Sequence, residues 1–467
     1  MADTETVDSA VSTAIVGGGG SGTLMAFALA QRGALSQDRT VVIGANHRRF
    51  RGIAYDVFDD NLLLNAPAGN MSALSAQPDH FVEYCQSIDP ALNAGSFVPR
   101  RLYGDYLEST FASLCPFPSF DWLDDEVLQV TQGLAGAGFR LQTRSGRRLH
   151  ADRVILALGH QPPRVPKVLQ SLKGAPNFVA NPYDLPALDR LPNGLPVLIL
   201  GTGHTAIDVL FRLMSAGPRQ ILMLSRHGWF PEGHRKNPRP PKRPAPPDYF
   251  GDGPLTSLYC LRAIREQIQR QTLEGENWRD VLNALRPYLP AVWSRLSESE
   301  RSRFLRHGLA IWDVHRHRLA PMAAHRLRQL VESGWVDIRA GQLMSGRRLG
   351  TGFEITVQAR GSTGRPSSFE VGALVNCTGP GYGIGPDTPG VLASLAQDGW
   401  ACSDPLKLGL LIDDHYQLIG RDGKSIPNLH YLGPLLKGRY WEAIAIPELR
   451  QHASQLAALL LPPKISV

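Results

Sequence analysis

The sequence predicts an α/β protein with two three-layer β-α-β units, the second inserted into the first, plus a mostly helical insertion. Three observations predict this fold class. Apolar runs that end at Val16 and Leu200 each lead into a glycine-rich turn and then into a helical pattern. Helical periodicity fills residues 254–334 almost completely. Apolar segments that end in small residues and glycine recur at 153–159 and 371–379, as expected where a chain crosses between two units.

The first unit begins with strand 12–16, a helix over about 21–33 and strand 40–44. The turn between the first strand and the helix carries the pattern G-x-G-x-x-G, in which the first glycine makes a tight turn and the second allows a close backbone approach to a pyrophosphate. The third glycine allows the helix to pack on the strand. The helix N-terminus favours the negative charge of that pyrophosphate. The candidate binding residues here are Gly17, Gly19, Gly20, Ser21 and Gly22.

The second unit repeats this order with strand 197–201, helix 204–215 and strand 220–225. Its candidate binding residues are Gly201, Gly203, His204 and Thr205. One such motif is weak evidence for a nucleotide. Two motifs with the same flanking elements predict two Rossmann-like dinucleotide-binding units, most economically for a flavin and for the nicotinamide that reduces it.

The remaining segments complete the predicted organisation. Helices are expected at 79–87 and 103–113, short strands over 126–156, and further strands at 335–339, 353–358 and 371–377. The proline-rich, basic stretch 231–247 is either a surface loop or a lid over the nicotinamide site. The predicted boundaries are 1–190 for the first part of an FAD-binding domain, 191–253 for an NADPH-binding domain, 254–334 for a helical insertion that forms part of a substrate pocket, and 335–467 for the C-terminal part of the FAD-binding domain.

Composition excludes several classes of protein. The chain has 467 residues, enough for two or three domains, and 43% hydrophobic residues, as in globular proteins. The net charge of +7 comes from mostly scattered basic residues without a compact aromatic module, so no nucleic-acid partner is expected. No apolar run approaches the length of about 18 residues that a membrane helix needs, and the acidic, polar start is unlike a signal peptide.

The cysteines indicate the redox compartment. There are 5 of them, far apart and without a C-x-x-C pair. This pattern disfavours a dithiol reductase centre and a structural zinc site. It fits the reducing cytoplasm, which is the predicted location, with no membrane partner and no metal. The sequence leaves open whether the chain forms a homo-oligomer.

Several further motifs resemble one family. The chain is similar to bacterial FAD/NAD(P)-binding proteins with two dinucleotide folds, which are related to flavin-dependent N-hydroxylating and Baeyer–Villiger monooxygenases. Besides both glycine motifs, the resemblance rests on the segments 63–72, 99–107, 181–184, 225–228, 312–318, 376–380 and 432–438. It implies FAD on the first unit, NADPH on the second and O2 as electron acceptor.

The activity that this resemblance implies is a single-component monooxygenase working through a C4a-(hydro)peroxyflavin. A small amine or amino acid would be the substrate and would be N-hydroxylated. Two alternatives stay open: an NAD(P)H-dependent flavin reductase without oxygen insertion, and a non-catalytic, cofactor-binding redox sensor.

The resemblance also implies functional residues. Asn65 is expected beside the isoalloxazine ring. The resemblance places Asn181 near the junction of flavin and nicotinamide, whereas its own sequence slightly favours the alternative, a turn opened by Asn-Pro. The other cofactor-binding residues implied in this way are Met71, Ser72, Arg101, Tyr103, Gly159, Gly379 and Gly433.

One position departs from the usual FAD fold. The second strand normally ends in an acidic residue that binds the adenosine ribose, whereas this chain has Gly44 there. FAD is then held by another group, such as Asn46, or is held less tightly. A glutamate at position 44 is expected to restore a ribose acceptor, unless Gly44 needs a positive φ.

Charged residues give two further hypotheses. Ser225 and Arg226 follow the last strand of the second unit, where a guanidinium pairs well with a 2′-phosphate, so NADPH is favoured over NADH. The segment 315–318 lacks the accompanying carboxylates of a metal site, and it either binds anions or packs structurally. Glu442 either lines the substrate pocket or caps the helix that follows it.

Overall fold

The computed structural model describes residues 9–33, 39–45, 47, 49–57, 59–116, 118–133, 137–236, 247–385 and 388–462. Asn46 and most of the proline-rich stretch lie outside these residues. Within them the chain forms two separate β-sheets with helices packed around them, and the predicted fold class is confirmed. A cavity lies where the two sheets and a block of helices meet.

The first sheet is built from eight strands. Its main path runs β14-β15-β6-β1-β2-β3, with β4 and β5 as an antiparallel extension of β6. The central pairs are parallel, with Val16 beside both Leu156 of β6 and Ile43 of β2. The strands are β1 (Ser9–Val16), β2 (Thr40–Ile43), β3 (Phe120–Leu123), β4 (Val127–Gln132), β5 (Phe139–Thr143), β6 (Arg148–Leu156), β14 (Gln417–Ile419) and β15 (Ser425–Tyr431).

The second sheet has seven strands in the order β12-β11-β10-β9-β8-β13-β7. The four pairs from β10 to β7 are parallel, and β10, β11 and β12 form an antiparallel end. The strands are β7 (Phe178–Val179), β8 (Val197–Leu200), β9 (Ile221–Ser225), β10 (Val336–Leu349), β11 (Gly352–Ala359), β12 (Ser367–Val371) and β13 (Ala373–Asn376).

The helices fall into three groups. Those of the first unit are α1 (Gly20–Gln31), α2 (Gly52–Tyr55), α3 (His80–Ile88), α4 (Arg100–Leu114), α13 (Val391–Gln397) and α14 (Ile446–Leu460). Those beside the second sheet are α5 (Leu185–Asp189), α6 (His204–Ala216) and α12 (Pro321–Glu332). The inserted block contains α7 (Ser257–Leu273), α8 (Trp278–Leu285), α9 (Leu289–Arg295), α10 (Glu298–His307) and α11 (Leu309–Arg316). No helix of the described residues is both long and apolar enough to span a bilayer.

The strand pairing corrects the predicted boundaries. β10 pairs with β9, and β13 pairs with β8 and β7, so residues 336–376 extend the second sheet and do not return to the first. β7 at 178–179 belongs to the second sheet as well, ahead of the predicted start at 191. The chain crosses out near Gln161 and back near Gly381, and these two residues form an isolated antiparallel bridge. The sequence predicted strands at 335–339, 353–358 and 371–377, but it did not show their partners, some of which lie more than a hundred residues away.

The inserted helices have a small core of their own. Phe250, Leu285, Trp293 and Trp441 are buried together, and the Trp293 and Trp441 rings stack with their centroids 4.3 Å apart. Trp441 comes from the C-terminal segment of the first unit. Ser297 is the N-cap of α10, and its hydroxyl accepts a hydrogen bond from the Glu300 amide. The insertion is therefore anchored to the first unit through an aromatic contact.

Candidate functional site

The first glycine motif makes the turn that its pattern predicts. Gly17 has φ +112°, and a Cβ there would lie 2.5 Å from the Ala157 carbonyl oxygen of the crossing segment. A Cβ on Gly22 would lie 1.9 Å from the Gly17 carbonyl oxygen, so only glycine lets α1 pack this closely on β1. Helix α1 begins at Gly20 with Gly19 as its N-cap.

A segment of the chain lies over this motif. The Phe50 amide donates a hydrogen bond to the Gly18 carbonyl at 2.9 Å. A Cβ on Gly19 would lie 3.0 Å from the Gly52 Cα atom, and Gly20 faces the Tyr55 ring. Residues 50–55, which include α2, therefore cover the N-terminus of α1.

Trp122 covers the neighbouring strand end. The Cη2 atom of its indole would be 2.0 Å from a Cβ atom on Gly18. The same Cη2 atom would be 3.6 Å from a Cβ atom on Gly44. The Trp122 Nε1 atom is buried and has no hydrogen-bond partner among the described residues. Gly44 has no positive φ, but a Cβ on it would lie 2.6 Å from the Gly18 amide nitrogen. Gly44 is thus required by close packing, not by its backbone conformation.

The second glycine motif repeats the geometry but is open. Gly201 has φ +114°, and a Cβ atom there would lie 2.2 Å from the Cys377 carbonyl oxygen. This contact corresponds to the one between Gly17 and the Ala157 carbonyl oxygen in the first motif. Gly203 is the N-cap of α6, and no heavy atom lies within 4 Å of its Cβ position. The free N-terminus of α6 is suited to bind a pyrophosphate.

Two arginines lie near the end of β9. Arg226 is exposed, and its carbonyl oxygen accepts a hydrogen bond of 3.4 Å from Arg360 Nη1. Burial, and then the positive charges of Arg360 and Arg226, lower the pKa of His227. The His227 ring stacks on Trp229 with a centroid distance of 4.6 Å. This strand end therefore presents positive charge beside a flat aromatic surface.

A cavity of about 1420 Å³ has the second glycine motif and the end of β9 in its wall. Its walls come from both units and from the inserted helices. The first unit contributes the segment around Asn65 and the start of α14, the second unit contributes the open glycine motif and Gly379, and the insertion contributes α11. One chamber therefore connects the second glycine motif, the crossing segments and the helical block.

Comparison with known proteins agrees with this arrangement. The family model described as FAD-NAD(P)-binding matches residues 14–161. Residues 14–161 are an FAD-NAD(P)-binding domain. The resemblance inferred from the motifs is thereby confirmed for this domain. No curated protein matches the chain in sequence.

Solved structures share the fold over almost the whole chain. Ornithine hydroxylase from Pseudomonas aeruginosa has a TM-score of 0.64 at 17% identity, covering 97% of this chain and 99% of its own. L-Lysine 6-monooxygenase from Pseudomonas syringae has a TM-score of 0.65 at 17% identity, covering 96% and 99%. Bacillithiol disulfide reductase from Staphylococcus aureus has a TM-score of 0.56 at 14% identity, covering 98% and 99%. The TM-scores show a shared fold.

The residues present fit a dinucleotide at both units, but unequally. At the second motif the cradle around Gly203 is open. In the FAD-NAD(P)-binding domain, the turn at Gly17 and the start of α1 have the required form, whereas Gly52 lies against Gly19.

Many of the predicted residues line the cavity. They are Asn65, Met71, Gly201, Gly203, His204, Thr205, Ser225, Arg226 and Gly379. The Asn65 carbonyl oxygen is 3.1 Å from His234 Nε2. Burial, and then the charge of Arg100, lower the pKa of His204 to about 4, so this first residue of α6 is neutral at pH 7. The Ser225 hydroxyl accepts hydrogen bonds from Thr202 and from the Gly228 amide, so it stabilises the turn that follows β9.

Other predicted residues have structural roles and are not among the described residues that line the cavity. The Asn181 side chain accepts a hydrogen bond from the Tyr183 amide, as expected for the alternative interpretation as an Asn-Pro turn. Tyr183, and not Asn181, is among the described residues that line the cavity. Ser72 Oγ is buried and bonds to backbone carbonyls of its own turn. Tyr103 is fully buried in the core of the domain. The catalytic prediction for Asn181 and the binding predictions for Ser72 and Tyr103 lack support from this geometry.

The binding prediction for Arg101 also lacks support from this geometry. Arg101 is exposed and pairs with Asp60 at 3.2 Å, whereas Arg100 lines the cavity and pairs with Asp208 at 2.8 Å. Both lie in the first turn of α4, and the sequence alone does not show which side of that turn faces inward.

The remaining predicted glycines lie near the crossing segments. Gly433 has φ +154°, and its Cβ would lie 2.5 Å from the Leu158 carbonyl oxygen, so it is a packing glycine of the turn. Gly159 has open space at its Cβ position. Neither is among the described lining residues of the cavity. Asn46 lies outside the described residues.

Sequence reasoning missed several cavity residues. His160 and Tyr382 follow the two crossing strands, and their rings are 6.1 Å apart. Lys437 is buried, with Nζ 4.8 Å from the centroids of Tyr382 and Trp441. Asp313 lines the cavity from α11. The small-residue turns at 157–159 and 377–379 were the signal that could have identified His160 and Tyr382.

A buried ionic network connects the insertion to the C-terminal segment. Glu442 Oε2 is 3.2 Å from Arg316 Nη2, and its Oε1 accepts a hydrogen bond from Trp312 Nε1 at 2.8 Å. Burial opposes the charged form of Glu442, but Arg316, followed by His317 and Trp312, holds its pKa at about 2. Glu442 has φ +73°, a conformation that this network stabilises. It therefore does not cap α14, which begins at Ile446.

Residues 315–318 lie partly in α11 and partly in the segment after it. Helix α11 ends at Arg316, so His315 and Arg318 do not share a helix face. Arg316 is used in the ion pair, and Arg318 hydrogen-bonds to Asn283 and to the Arg279 carbonyl oxygen. Both arginines thus have structural partners, and both also line the cavity. Among the described residues, no group of three or more His, Cys, Asp or Glu side chains is arranged to hold a metal ion.

We expect Gly44→Ala and Gly44→Glu to destabilise the protein by about 1–3 kcal/mol, the usual cost of overpacking. The earlier expectation of tighter FAD binding is replaced, because the Cβ atom would lie 2.6 Å from the Gly18 amide nitrogen. Urea denaturation and the flavin content of purified protein measure the two effects. Gly253→Ala, at a position with open space, is the control. A Gly44→Glu protein of wild-type stability with greater flavin retention would restore the ribose-acceptor interpretation.

We expect Glu442→Gln to lower stability by about 3–5 kcal/mol, because it leaves the Arg316 charge buried without its main partner. Adding Arg316→Met should recover part of this loss, and the exposed Glu332→Gln should have no effect. The deficit of Glu442→Gln should shrink as the pH falls below 4.5, since a carboxyl whose folded pKa is about 2 loses its stabilising effect over that range. Equal stability of wild type and Glu442→Gln at pH 7 would contradict this role.

Proposed function

We propose that this chain is a single-component monooxygenase that uses FAD, NADPH and O2 to N-hydroxylate a small amine or amino acid. The main support for this proposal is one cavity that connects the second glycine motif with the crossing segments and with the helical insertion. A hydride donor, a flavin ring and a substrate require such a shared chamber. The named activities of the two similar hydroxylases support the substrate class.

The chain's own residues would bind and shield the reactants. The N-terminus of α6 at Gly203 would bind the NADPH pyrophosphate, and Arg226 with Arg360 would bind its 2′-phosphate. Asn65 and Met71 would form a wall of the flavin ring site in the FAD-NAD(P)-binding domain. When bound, FAD supplies the hydride acceptor and the means of activating O2. The inserted helices would exclude water from that chamber.

Thiol chemistry is disfavoured by the cavity residues. The bacillithiol disulfide reductase shares this fold. In the present chain, Cys377 is the cysteine among the described lining residues, and burial raises its pKa well above the ordinary value. A buried thiol with a raised pKa is a poor nucleophile. This observation favours oxygen chemistry over disulfide reduction.

The proposed reaction is tested by its products. Flavin-loaded protein is supplied with NADPH, O2 and, separately, ornithine, lysine or cadaverine, and hydroxylamine, H2O2 and NADPH consumption are quantified. Hydroxylamine formed in proportion to NADPH supports the proposal. NADPH oxidation that yields only H2O2 with every amine indicates a reductase, and flavin that NADPH does not reduce indicates a redox sensor. Either result contradicts the monooxygenase.

We expect Arg226→Ala to weaken NADPH binding by about 1.5–3 kcal/mol while NADH binding stays nearly constant, because one charge-assisted contact to the 2′-phosphate is lost. Arg360→Ala should act in the same direction. Arg348→Ala, on the same sheet, is the control for a general loss of positive charge. Dissociation constants for both nucleotides are measured by calorimetry. Equal weakening of NADPH and NADH would remove the phosphate role from Arg226.

A further inference from the structure

Most acidic side chains beside the cavity are already neutralised. Asp208 pairs with Arg100 at 2.8 Å, and Glu442 pairs with Arg316 at 3.2 Å. Glu448 accepts two hydrogen bonds from the guanidinium of Arg286. These three carboxylates therefore have arginine partners and are poor candidates for binding a cationic ligand.

Asp313 differs from them. It lies in the last turn of α11 and lines the cavity, and 45% of its side chain is exposed. Among the described residues, the nearest basic side chain is that of His317, whose Nε2 is 3.7 Å from Asp313 Oδ1. Burial is the main cause that lowers the pKa of His317 to about 3, so His317 is neutral at pH 7 and supplies no full positive charge. Asp313 thus keeps carboxylate oxygens available to a ligand.

The groups that face Asp313 place it near the meeting point of the two units. Tyr382 follows the second crossing strand, and burial raises its pKa. The charge of Lys437 opposes this rise, and the charge of Asp313 adds to it, so Asp313 lies close enough to act on Tyr382. Lys437, Glu442 and Arg316 are the charged groups that act on Asp313. The exposed part of Asp313 faces the cavity and not the outer surface, and the surrounding wall still removes much of its solvent. This desolvation raises the pKa of Asp313 to about 6, against the opposing effect of Lys437, so it is ionised at pH 8.

We propose that Asp313 binds an ammonium group of the substrate, at a nitrogen other than the one that is hydroxylated, and so determines the preference for cationic substrates. The inference rests on the proposed function for the identity of the substrate. An ammonium group has three donors, and a carboxylate is an acceptor with two oxygens, so the pair forms charge-assisted hydrogen bonds. A ligand held there lies on the wall shared with Tyr382 and Lys437, beside the crossing segments. Asp313 is thereby a specificity-determining residue supplied by the helical insertion.

The test compares two probes that differ in charge but little in shape, hexylamine and 1-hexanol. Their binding to flavin-loaded wild type, Asp313→Asn and the control Glu298→Gln is measured by calorimetry at pH 8. Asp313→Asn should weaken hexylamine about tenfold or more, as expected for one charge-assisted interaction, and leave 1-hexanol unchanged. Glu298, on the exposed start of α10, should have no effect on either probe. Flavin content and thermal stability verify that each variant is folded.

The pH dependence provides a second readout. Hexylamine affinity of the wild type should fall as the pH drops through about 6, because Asp313 becomes protonated, and Asp313→Asn should lack this transition. Equal hexylamine binding by wild type and Asp313→Asn overturns the inference. So does an equal loss of both probes, which indicates a structural role. Hydroxylamine production by wild type, measured separately, decides the proposed function, so the two proposals can fail independently.

Discussion

Close contact between a glycine turn and a backbone carbonyl organises both halves of this protein. Gly17 lies against the Ala157 carbonyl oxygen, and Gly201 lies against that of Cys377. In each case a Cβ atom would be within 2.5 Å of the oxygen, and the residue has a positive φ. These contacts fix the starts of α1 and α6 beside the crossing segments. The cavity and its wall residues depend on that placement.

The two turns nevertheless leave different environments for a ligand. The cradle at Gly203 is open, whereas Gly52 lies over Gly19. The covering segment is held partly by Phe50, whose ring is 4.3 Å from that of Phe111. It is also held by Arg51, which pairs with Asp105 at 2.7 Å. That carboxylate is partly exposed, and such pairs contribute about 0–1 kcal/mol, so aromatic packing is the larger contribution.

The inserted helices depend on a different interaction. Glu442 joins Arg316 and Trp312 of α11 to the C-terminal segment, and Trp441 stacks on Trp293 of α9. A buried ion pair contributes more to positioning than to net stability, because desolvation offsets much of its attraction. The network therefore orients α11 so that Asp313 faces the cavity, while Glu442 is unavailable to a ligand.

The sequence by itself determined the features that arise from neighbouring residues. Both glycine turns, the strands before them, the helices after them and the position of Arg226 at a strand end follow from local pattern, because turn geometry and helix starts are decided within a few residues. The departure at Gly44 was visible in the same way, although its cause was not.

Tertiary structure alone decided which residues meet. It assigned 336–376 to the second sheet, chose Arg100 over Arg101, and placed Asn181 in a turn outside the cavity wall. It also left Asp313 accessible while Glu442, more than a hundred residues away, was neutralised by Arg316. Such outcomes depend on strand partners and charge pairs between distant segments, and one sequence specifies them only through the packing of the complete fold.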